Sequence, residues 1–303
     1  YLVLRVAVTT ARNDARIERT TLDRLAESKP LTTPWSEEAR RLFVELFLAG
    51  RPAVQVVETL DQRGLWEPIF PEWSVIRCRP QRNAYHRFTI DRHLCEAAAN
   101  SAALVDRVDR PDLLVVGTLL HDIGKGRPGD HTDVGIGLIA EIAPRMGFDA
   151  DDTLILQQMC RHHLLLPDTA TRRDLSDDGT ISFVADSVST LTCLRLLGAL
   201  TEADSLATGS AAWGSWKEEL VGVLVGRVAH VLSGGSVADA TDTGFPTSHQ
   251  RDLLAQRRRI IEAVDDQIVV ISPDRPGLFS RVAGVLSLNG LTVLEAAAHS
   301  ADN

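Results

Sequence analysis

The sequence predicts a mainly α protein, in which a helical segment precedes an all-helical bundle and a partial α+β unit of β-α-β order follows it. Apolar residues recur at helical spacing through most of 89–226, and proline or glycine marks the interruptions. Farther along, two short β-branched runs flank an amphipathic stretch, which is typical of two strands and a helix. We therefore expect domains at 1–74, 75–232 and 267–303, with a linker at 233–266.

The first 74 residues are interpreted as the end of another domain followed by a helical support layer. Tyr1–Val8 is a continuous apolar-rich run that we interpret as a strand. Between 17 and 65 the pattern is helical: Leu42 and Leu46 share one face of a helix that Gly50 ends. Because the chain opens on one strand-like run and stops just after another, we expect it to be part of a longer polypeptide.

The composition narrows the class of function. The chain has 303 residues and a formal net charge of −9, which disfavours a broad surface for nucleic acid. No apolar run reaches the roughly 18 residues that a membrane span needs, and the start lacks the features of a signal peptide. The four cysteines have no CxxC spacing, so we expect reduced thiols in a cytoplasmic protein.

The residues that point to chemistry begin with a His-Asp pair. His121 and Asp122 follow the apolar stretch Pro111–Leu120, in which a proline in the first turn predicts a buried helix. His93 lies on the preceding predicted helix and Asp204 near the end of a later one. Three helices can thereby converge on one ion. Imidazole nitrogen and carboxylate oxygen suit manganese, iron, zinc or nickel, so the donor types leave the metal open.

A second ion could recruit His131 and His163, with Asp122 shared between the two ions. Such a pair activates water and clamps the attacking and leaving oxygens of a displacement at phosphorus. Lys125 lies between two glycines, where it could meet a phosphate oxygen and offset charge in the transition state. We therefore expect metal-dependent phosphodiester chemistry, with His121, Asp122 and Lys125 as the catalytic residues.

The ordered set His93, His121-Asp122 and Asp204 resembles the signature of the HD superfamily of metal-dependent phosphohydrolases. Within that superfamily, the chain looks like the bifunctional uridylyltransferase/uridylyl-removing family, which modifies the PII nitrogen-signalling protein. The stretches that carry this resemblance are Tyr85–His93, His121–Gly126, Gly129–His131, Arg161–Leu165, Thr171–Asp174 and Trp213–Lys217.

The resemblance implies an activity and a set of ligands. It implies that a nucleotidyl group, UMP or AMP, is removed from a tyrosine of PII. The cofactor would be one or two divalent ions, manganese or magnesium, with iron or zinc as further options. It also implies that Arg172 joins Lys125 in binding phosphate. The Gly-Ser and Asp-x-Asp signature of the transferase is absent from this sequence, so only the removal reaction is carried over.

The resemblance also assigns the three domains. It implies the end of a nucleotidyltransferase domain with a helical linker at 1–74, an HD phosphohydrolase domain at 75–232 and a partial ACT domain at 267–303. In the ACT domain, Asp274, Gly277 and Leu278 would contribute to a site for glutamine, the allosteric ligand of the full-length family. A helix start offers exposed N–H groups that could receive a carboxylate.

Three alternatives remain open at this stage. Another HD enzyme, such as a guanosine tetraphosphate hydrolase, would keep the same ligands but act on a free nucleotide. A regulatory module with an inactive HD site would bind metal and sense amino acids without turnover. A nucleotidyltransferase acting on tRNA ends shares the architecture, but the acidic composition of this chain disfavours an RNA-binding surface.

Overall fold

A computed structural model describes most of the chain. The described residues are 1–81, 87–209, 211–241, 246–294 and 296–298. Contacts divide the chain into two compact units, Tyr1–Thr241 and Asp242–Asn303, and each has its own architecture. Helices make up most of the first unit, and the sheet in the described residues has two strands. The prediction of a mainly α fold is therefore confirmed.

The first unit is built from α-helices and one short 3-10 helix. The helices are α1 (Leu2–Arg12), α2 (Arg19–Ala26), α3 (Glu37–Leu48), α4 (Arg51–Gln62), α5 (Trp73–Ile76), α6 (Ile90–Asn100), the 3-10 helix (Ser101–Arg107), α7 (Pro111–Leu120), α8 (His131–Arg145), α9 (Ala150–Arg161), α10 (Leu165–Arg172), α11 (Asp178–Val188), α12 (Leu191–Thr208), α13 (Ser215–Leu232) and α14 (Val237–Thr241).

The strand predicted at Tyr1–Val8 is wrong, because the chain forms helix α1 there. Its exposed positions include Arg5 and Thr9, four residues apart, as on the outer face of a helix. A short apolar run fits a strand or a buried helix, and here packing against α3 and α4 decides the outcome. The buried positions of α1 recur at helical spacing: Val3, Leu4, Ala7, Val8, Thr10 and Ala11.

A continuous hydrophobic core joins the N-terminal helices to the central bundle. Phe43 of α3 stacks on Trp66 with ring centroids 5.8 Å apart and meets Phe47 edge-on at 5.5 Å. Every residue of 113–120 in α7 is buried, and α6 packs along α12. The predicted domain boundary near residue 75 lies within this core, and it stays a prediction.

A second cluster of buried apolar residues joins α10, α11, α12 and α13. Among the described residues, no single helix is both long and apolar enough to cross a membrane. One pair of helices, Asp178–Val188 with Leu191–Thr208, passes that test together by length and composition alone, and it is bent by 101° at the break.

The second unit contains a helix, an antiparallel hairpin and another helix. These elements are α15 (Ser248–Ala255), β1 (Ile260–Val264), β2 (Gln267–Ile271) and α16 (Leu278–Leu288). Ile260 lies opposite Ile271, and Asp265 and Asp266 form a two-residue loop in which Asp265 has a φ of 52°. A positive φ in such a loop matches the twist of the paired strands.

The predicted β-α-β order of this unit is only partly correct. Strand β2 and helix α16 lie where they were predicted, but β1 and α15 fall in the segment interpreted as a linker. The strand predicted over 291–294 is wrong, because those residues form no strand in the structure and Leu294 is 95% exposed. The partner of β2 is the strand before it, since a two-residue loop brings the pair together with little loss of chain entropy.

Candidate metal centre

Five helices bring six side chains to one place in the first unit. Helix α7 begins with Pro111 in its first turn and ends at Leu120, so the His-Asp pair follows directly on a buried helix and is itself buried. Asp130 caps the start of α8, where its carboxylate accepts hydrogen bonds from the N–H groups of Thr132 and Asp133. The six side chains are His93 in α6, His121 and Asp122 after α7, His131 in α8, His163 after α9 and Asp204 in α12.

The first group consists of His93, His121 and Asp204. Nε2 of His93 lies 3.0 Å from Oδ1 of Asp204, and Nε2 of His121 lies 3.6 Å from the same oxygen. Nδ1 of His121 is 2.7 Å from the carbonyl oxygen of Thr118. Because a carbonyl only accepts hydrogen bonds, this contact places a proton on Nδ1 and turns Nε2 toward Asp204.

The second group consists of Asp122, His131 and His163. Oδ1 of Asp122 lies 3.6 Å from Nε2 of His131 and 3.8 Å from Nε2 of His163. Nδ1 of His163 is 2.7 Å from the carbonyl oxygen of Cys160, which again leaves Nε2 facing the carboxylate. The neighbouring His162 is only half-buried, so the structure distinguishes two histidines that the sequence could not.

The two groups are adjacent and could each hold an ion. Nε2 of His121 lies 3.4 Å from Oδ2 of Asp122, across the boundary between the groups. His121 Nε2 and Asp122 Oδ1 are buried without a hydrogen-bond partner in the part of the chain that the structure describes. Buried polar atoms left in this way are costly. A divalent cation would satisfy both atoms, and the nitrogen and oxygen donors fit manganese, iron or zinc.

The oppositely charged side chains of these groups stabilise one another's charged forms. Burial alone would lower the pKa of His121, but the carboxylates of Asp122 and Asp204 outweigh it and raise the pKa to about 9. Burial alone would raise the pKa of Asp204, yet His121 and His93 lower it to about 2. Burial alone would raise the pKa of Asp122, but His121 lowers it well below its usual range. Both aspartates are therefore ionised at neutral pH, as ligands of a cation must be, and His121 would release a proton when an ion binds.

Lys125 lies beside the second group. Its Nζ is 2.5 Å from Oδ2 of Asp122 and 2.8 Å from Oε1 of Gln81. The preceding glycine is needed for packing, because a Cβ on Gly124 would lie 2.0 Å from the carbonyl oxygen of His131. The close approach of two backbone segments therefore holds the loop carrying Lys125 against the start of α8.

No contact among the described residues brings Arg172 to the metal centre. Its side chain is 75% exposed at the end of α10, and its guanidinium lies 3.4 Å from Asp168. Its phosphate-binding role stays a prediction. Asp274, Gly277 and Leu278 form the turn before α16 in the second unit, where the glutamine site also stays a prediction. Tyr85 and His86, part of the quoted motif, lie outside the described residues.

Lys217 is a neighbour of the first group that the sequence alone did not single out. Its Nζ lies 3.0 Å from the carbonyl oxygen of Ala212 and 3.4 Å from Oγ of Ser205, the residue after Asp204. Burial lowers the pKa of Lys217, while the negative charge of Asp204 opposes that shift. The motif Trp213–Lys217 contained the signal, but only the fold brings α13 back to α12.

Comparison with known proteins places this chain in a family. The profile described as HD domain matches residues 90–191, which include five of the six residues and end before Asp204. Enzymes named bifunctional uridylyltransferase/uridylyl-removing enzyme are similar over nearly the whole chain. Identity is 42% in Streptomyces coelicolor and 44% in Mycobacterium tuberculosis over 96% of this chain, and 32% in Corynebacterium glutamicum over 97%.

This chain spans 40%, 37% and 41% of the lengths of those three relatives, respectively. The match includes the region of the HD profile and extends well beyond it on both sides. The chain thus belongs to the family of bifunctional uridylyltransferase/uridylyl-removing enzymes.

Proposed function

We propose that this chain hydrolyses the phosphodiester that joins a nucleotidyl group, UMP or AMP, to a tyrosine of the PII signal protein. The observation that carries the proposal is the adjacency of the two three-residue groups, 3.4 Å apart between His121 and Asp122, with Lys125 at their edge. Two adjacent cation sites beside an ammonium group suit a reaction at a phosphate.

The residues divide into two sets of ligands. His93, His121 and Asp204 would hold one divalent ion, and Asp122, His131 and His163 would hold the other. Such ions, when bound, lower the pKa of water and offset the charge of a phosphoryl group. The backbone carbonyls that hold His121 and His163 keep their Nε2 atoms aimed inward, so the ligands are oriented before an ion binds.

The proposed reaction is a hydrolysis. A water oxygen forms a bond to phosphorus, the bond from phosphorus to the tyrosine oxygen breaks, and one proton of the water ends on that oxygen. The products are the unmodified tyrosine side chain of PII and a nucleoside monophosphate. Lys125, whose Nζ lies 2.5 Å from Asp122, would donate a hydrogen bond to a phosphate oxygen and offset the charge that develops there. The phenolate leaves readily because the pKa of a tyrosine side chain is only about 10.

The wider assignment follows from the same family. We propose that PII is the protein partner, that the reaction takes place in the cytoplasm, and that glutamine acts as the allosteric ligand of the full-length protein. The turn at Asp274, Gly277 and Leu278 is the proposed contribution of this chain to the glutamine site. The α-helix that begins at Leu278 offers the N–H groups for the carboxylate.

The direct test is to incubate the chain with nucleotidylated PII and manganese and to follow the released nucleotide by mass spectrometry. We expect release by the unchanged chain and by Asp106→Ala, which alters an exposed carboxylate of the 3-10 helix. Asp122→Ala should abolish release. A parallel reaction with guanosine tetraphosphate separates the alternatives: hydrolysis of that free nucleotide, with modified PII left intact, would replace the proposal.

A further inference from the structure

A cavity of about 410 Å³ lies beside the proposed metal centre, in the first unit. Its walls come from the start of α4, the segment before α6, and the facing sides of α6 and α12. The residues that line it include Arg51, Arg87, Phe88, Glu96, Asn100 and Leu206. The volume lies within the roughly 300–1,000 Å³ that small-molecule sites usually occupy.

The cavity is next to the metal centre but separate from it. Glu96 and Asn100 follow His93 along α6, and Leu206 follows Asp204 along α12. The amide Nδ2 of Asn100, a lining residue, donates to the carbonyl oxygen of Ala203 at 3.1 Å, which ties α6 to α12 at the wall of the cavity. None of the six proposed metal ligands is among the described residues that line the cavity.

The cavity is electropositive. Arg51 and Arg87 are exposed, and no described carboxylate forms an ion pair with either. Among the described lining residues the acidic one is Glu96, and it is already neutralised by Arg92, whose NH2 lies 2.6 Å from it. Arg87 lies over the ring of Phe88, with its Cζ 5.3 Å from the ring centroid, which holds this guanidinium at the wall.

We infer that this cavity binds a phosphate monoester of about mononucleotide size, at a site distinct from the metal centre. A phosphate monoester carries close to two negative charges at neutral pH, which matches two guanidinium groups that lack carboxylate partners in the described part of the chain. Guanidinium also pairs with phosphate through two parallel hydrogen bonds. Leu206, 43% exposed, provides apolar surface for the organic part of the ligand.

The test is a calorimetric titration of the whole chain with uridine monophosphate and, separately, with inorganic phosphate. All variants are made in an Asp122→Ala background as well as in the unchanged chain, so that phosphate held by the metal centre is recognised. Arg51→Gln and Arg87→Gln should each weaken uridine monophosphate binding roughly tenfold or more in both backgrounds. Arg24→Gln, an exposed arginine of α2, is the matched control and should leave affinity unchanged.

Circular dichroism establishes that the arginine variants fold, which is expected because both side chains are exposed. Three results would overturn the inference: no binding of uridine monophosphate, binding that both arginine variants retain in full, or inorganic phosphate that binds as tightly as the nucleotide. Release of nucleotide from PII is measured separately. A chain that releases no nucleotide from PII could therefore still bind uridine monophosphate in the cavity. Likewise, a chain that does not bind uridine monophosphate there could still release nucleotide from PII.

Discussion

At the scale of single residues, two histidines of the proposed centre are held by the same device. Nδ1 of His121 binds the carbonyl oxygen of Thr118, and Nδ1 of His163 binds that of Cys160, each three residues earlier in the chain. Both contacts use a carbonyl near the end of a helix, where such groups lack a helical partner. The end of a helix thus fixes the tautomer of the ligand that follows it.

The positive charge of Lys217 should affect how tightly the first group binds a cation. Its ammonium group is partly buried and interacts with the carboxylate of Asp204. A fixed positive charge there opposes binding of a cation by the first group, so Lys217→Met should tighten manganese binding by roughly two- to tenfold. Equilibrium dialysis of the chain against manganese measures this change.

The control for that measurement is Lys217→Arg, which keeps the charge and should leave the affinity near that of the unchanged chain. A purely structural role for Lys217 would give the opposite result, since loss of its hydrogen bonds to Ala212 and Ser205 would loosen the site. Weaker manganese binding by Lys217→Met would therefore contradict the electrostatic account.

At the scale of helices and strands, α1 shows that the spacing of apolar residues does not by itself distinguish a helix from a strand. In a strand, Leu2 and Leu4 would lie on the same face, whereas in a helix only Leu4 is directed into the core. Leu4 is fully buried and Leu2 is 50% exposed. Leu4→Ala should therefore lower the free energy of unfolding by about 2–5 kcal/mol. Leu2→Ala should change it by no more than about 0.5 kcal/mol.

Urea unfolding followed by circular dichroism measures both variants. Equal losses for Leu2→Ala and Leu4→Ala would favour the strand and contradict the helix.

The contact between α8 and the loop after α7 depends on one glycine. A Cβ at Gly124 would lie 2.0 Å from the carbonyl oxygen of His131 and 2.6 Å from the backbone nitrogen of Gly135. Backbone atoms cannot move aside cheaply, so Gly124→Ala should lower the melting temperature and weaken manganese binding by the group that contains His131. Thermal unfolding and equilibrium dialysis report the two effects.

Gly137 of α8 provides the matched control, because no atom of the described residues lies within 4 Å of the position that a Cβ would take there. Gly137→Ala should be neutral or stabilising by up to about 1 kcal/mol, since alanine favours helix more than glycine does. If both glycine variants behaved alike, the close approach at Gly124 would not be what holds α8 in place.

The pH dependence of stability has a specific source in the pair Glu72 and Arg145, which links the start of α5 to the end of α8. The two carboxylate oxygens of Glu72 lie 2.6 and 2.7 Å from the guanidinium nitrogens of Arg145. Burial alone would raise the pKa of Glu72, but Arg145 outweighs it and lowers the pKa below its usual 4.5. The stabilising contribution is therefore present above pH 4.5 and is lost as the pH falls through the lowered pKa.

Glu72→Gln should be less stable than the unchanged chain at pH 7, by roughly 1–3 kcal/mol for a charged hydrogen-bonded pair. The difference should shrink as the pH falls below 4.5, because the unchanged Glu72 then becomes neutral as well. Urea unfolding at pH 7 and pH 4 measures this difference, with the exposed Glu27→Gln as the control. A difference independent of pH would contradict the assignment.

At the scale of the whole molecule, three residues of the proposed centre could be predicted because they follow an apolar helical stretch or lie near the end of one. His121-Asp122 follows ten residues that form α7, and Asp204 lies near the end of α12. Helical periodicity reports such positions directly. The role proposed for Lys217 and the cavity beside Asn100 could not be predicted, since both depend on how α6, α12 and α13 pack.

The second unit illustrates the same limit. Strand β2 and helix α16 have strong local patterns, whereas β1 contains Glu262 and follows three consecutive arginines that read as part of a linker. Pairing with β2 makes β1 a strand, and pairing is not visible in a local window. The 291–294 run has equally strong local character but forms no strand in the structure.

We propose that two adjacent groups at the end of α7 each hold a divalent ion. The number of manganese ions bound per chain, measured by elemental analysis after equilibrium dialysis, tests this proposal. We expect two ions for the unchanged chain and for Arg24→Gln, and one ion for His163→Ala and for His93→Ala. A chain that binds no manganese, or variants that bind as many ions as the unchanged chain, would contradict it.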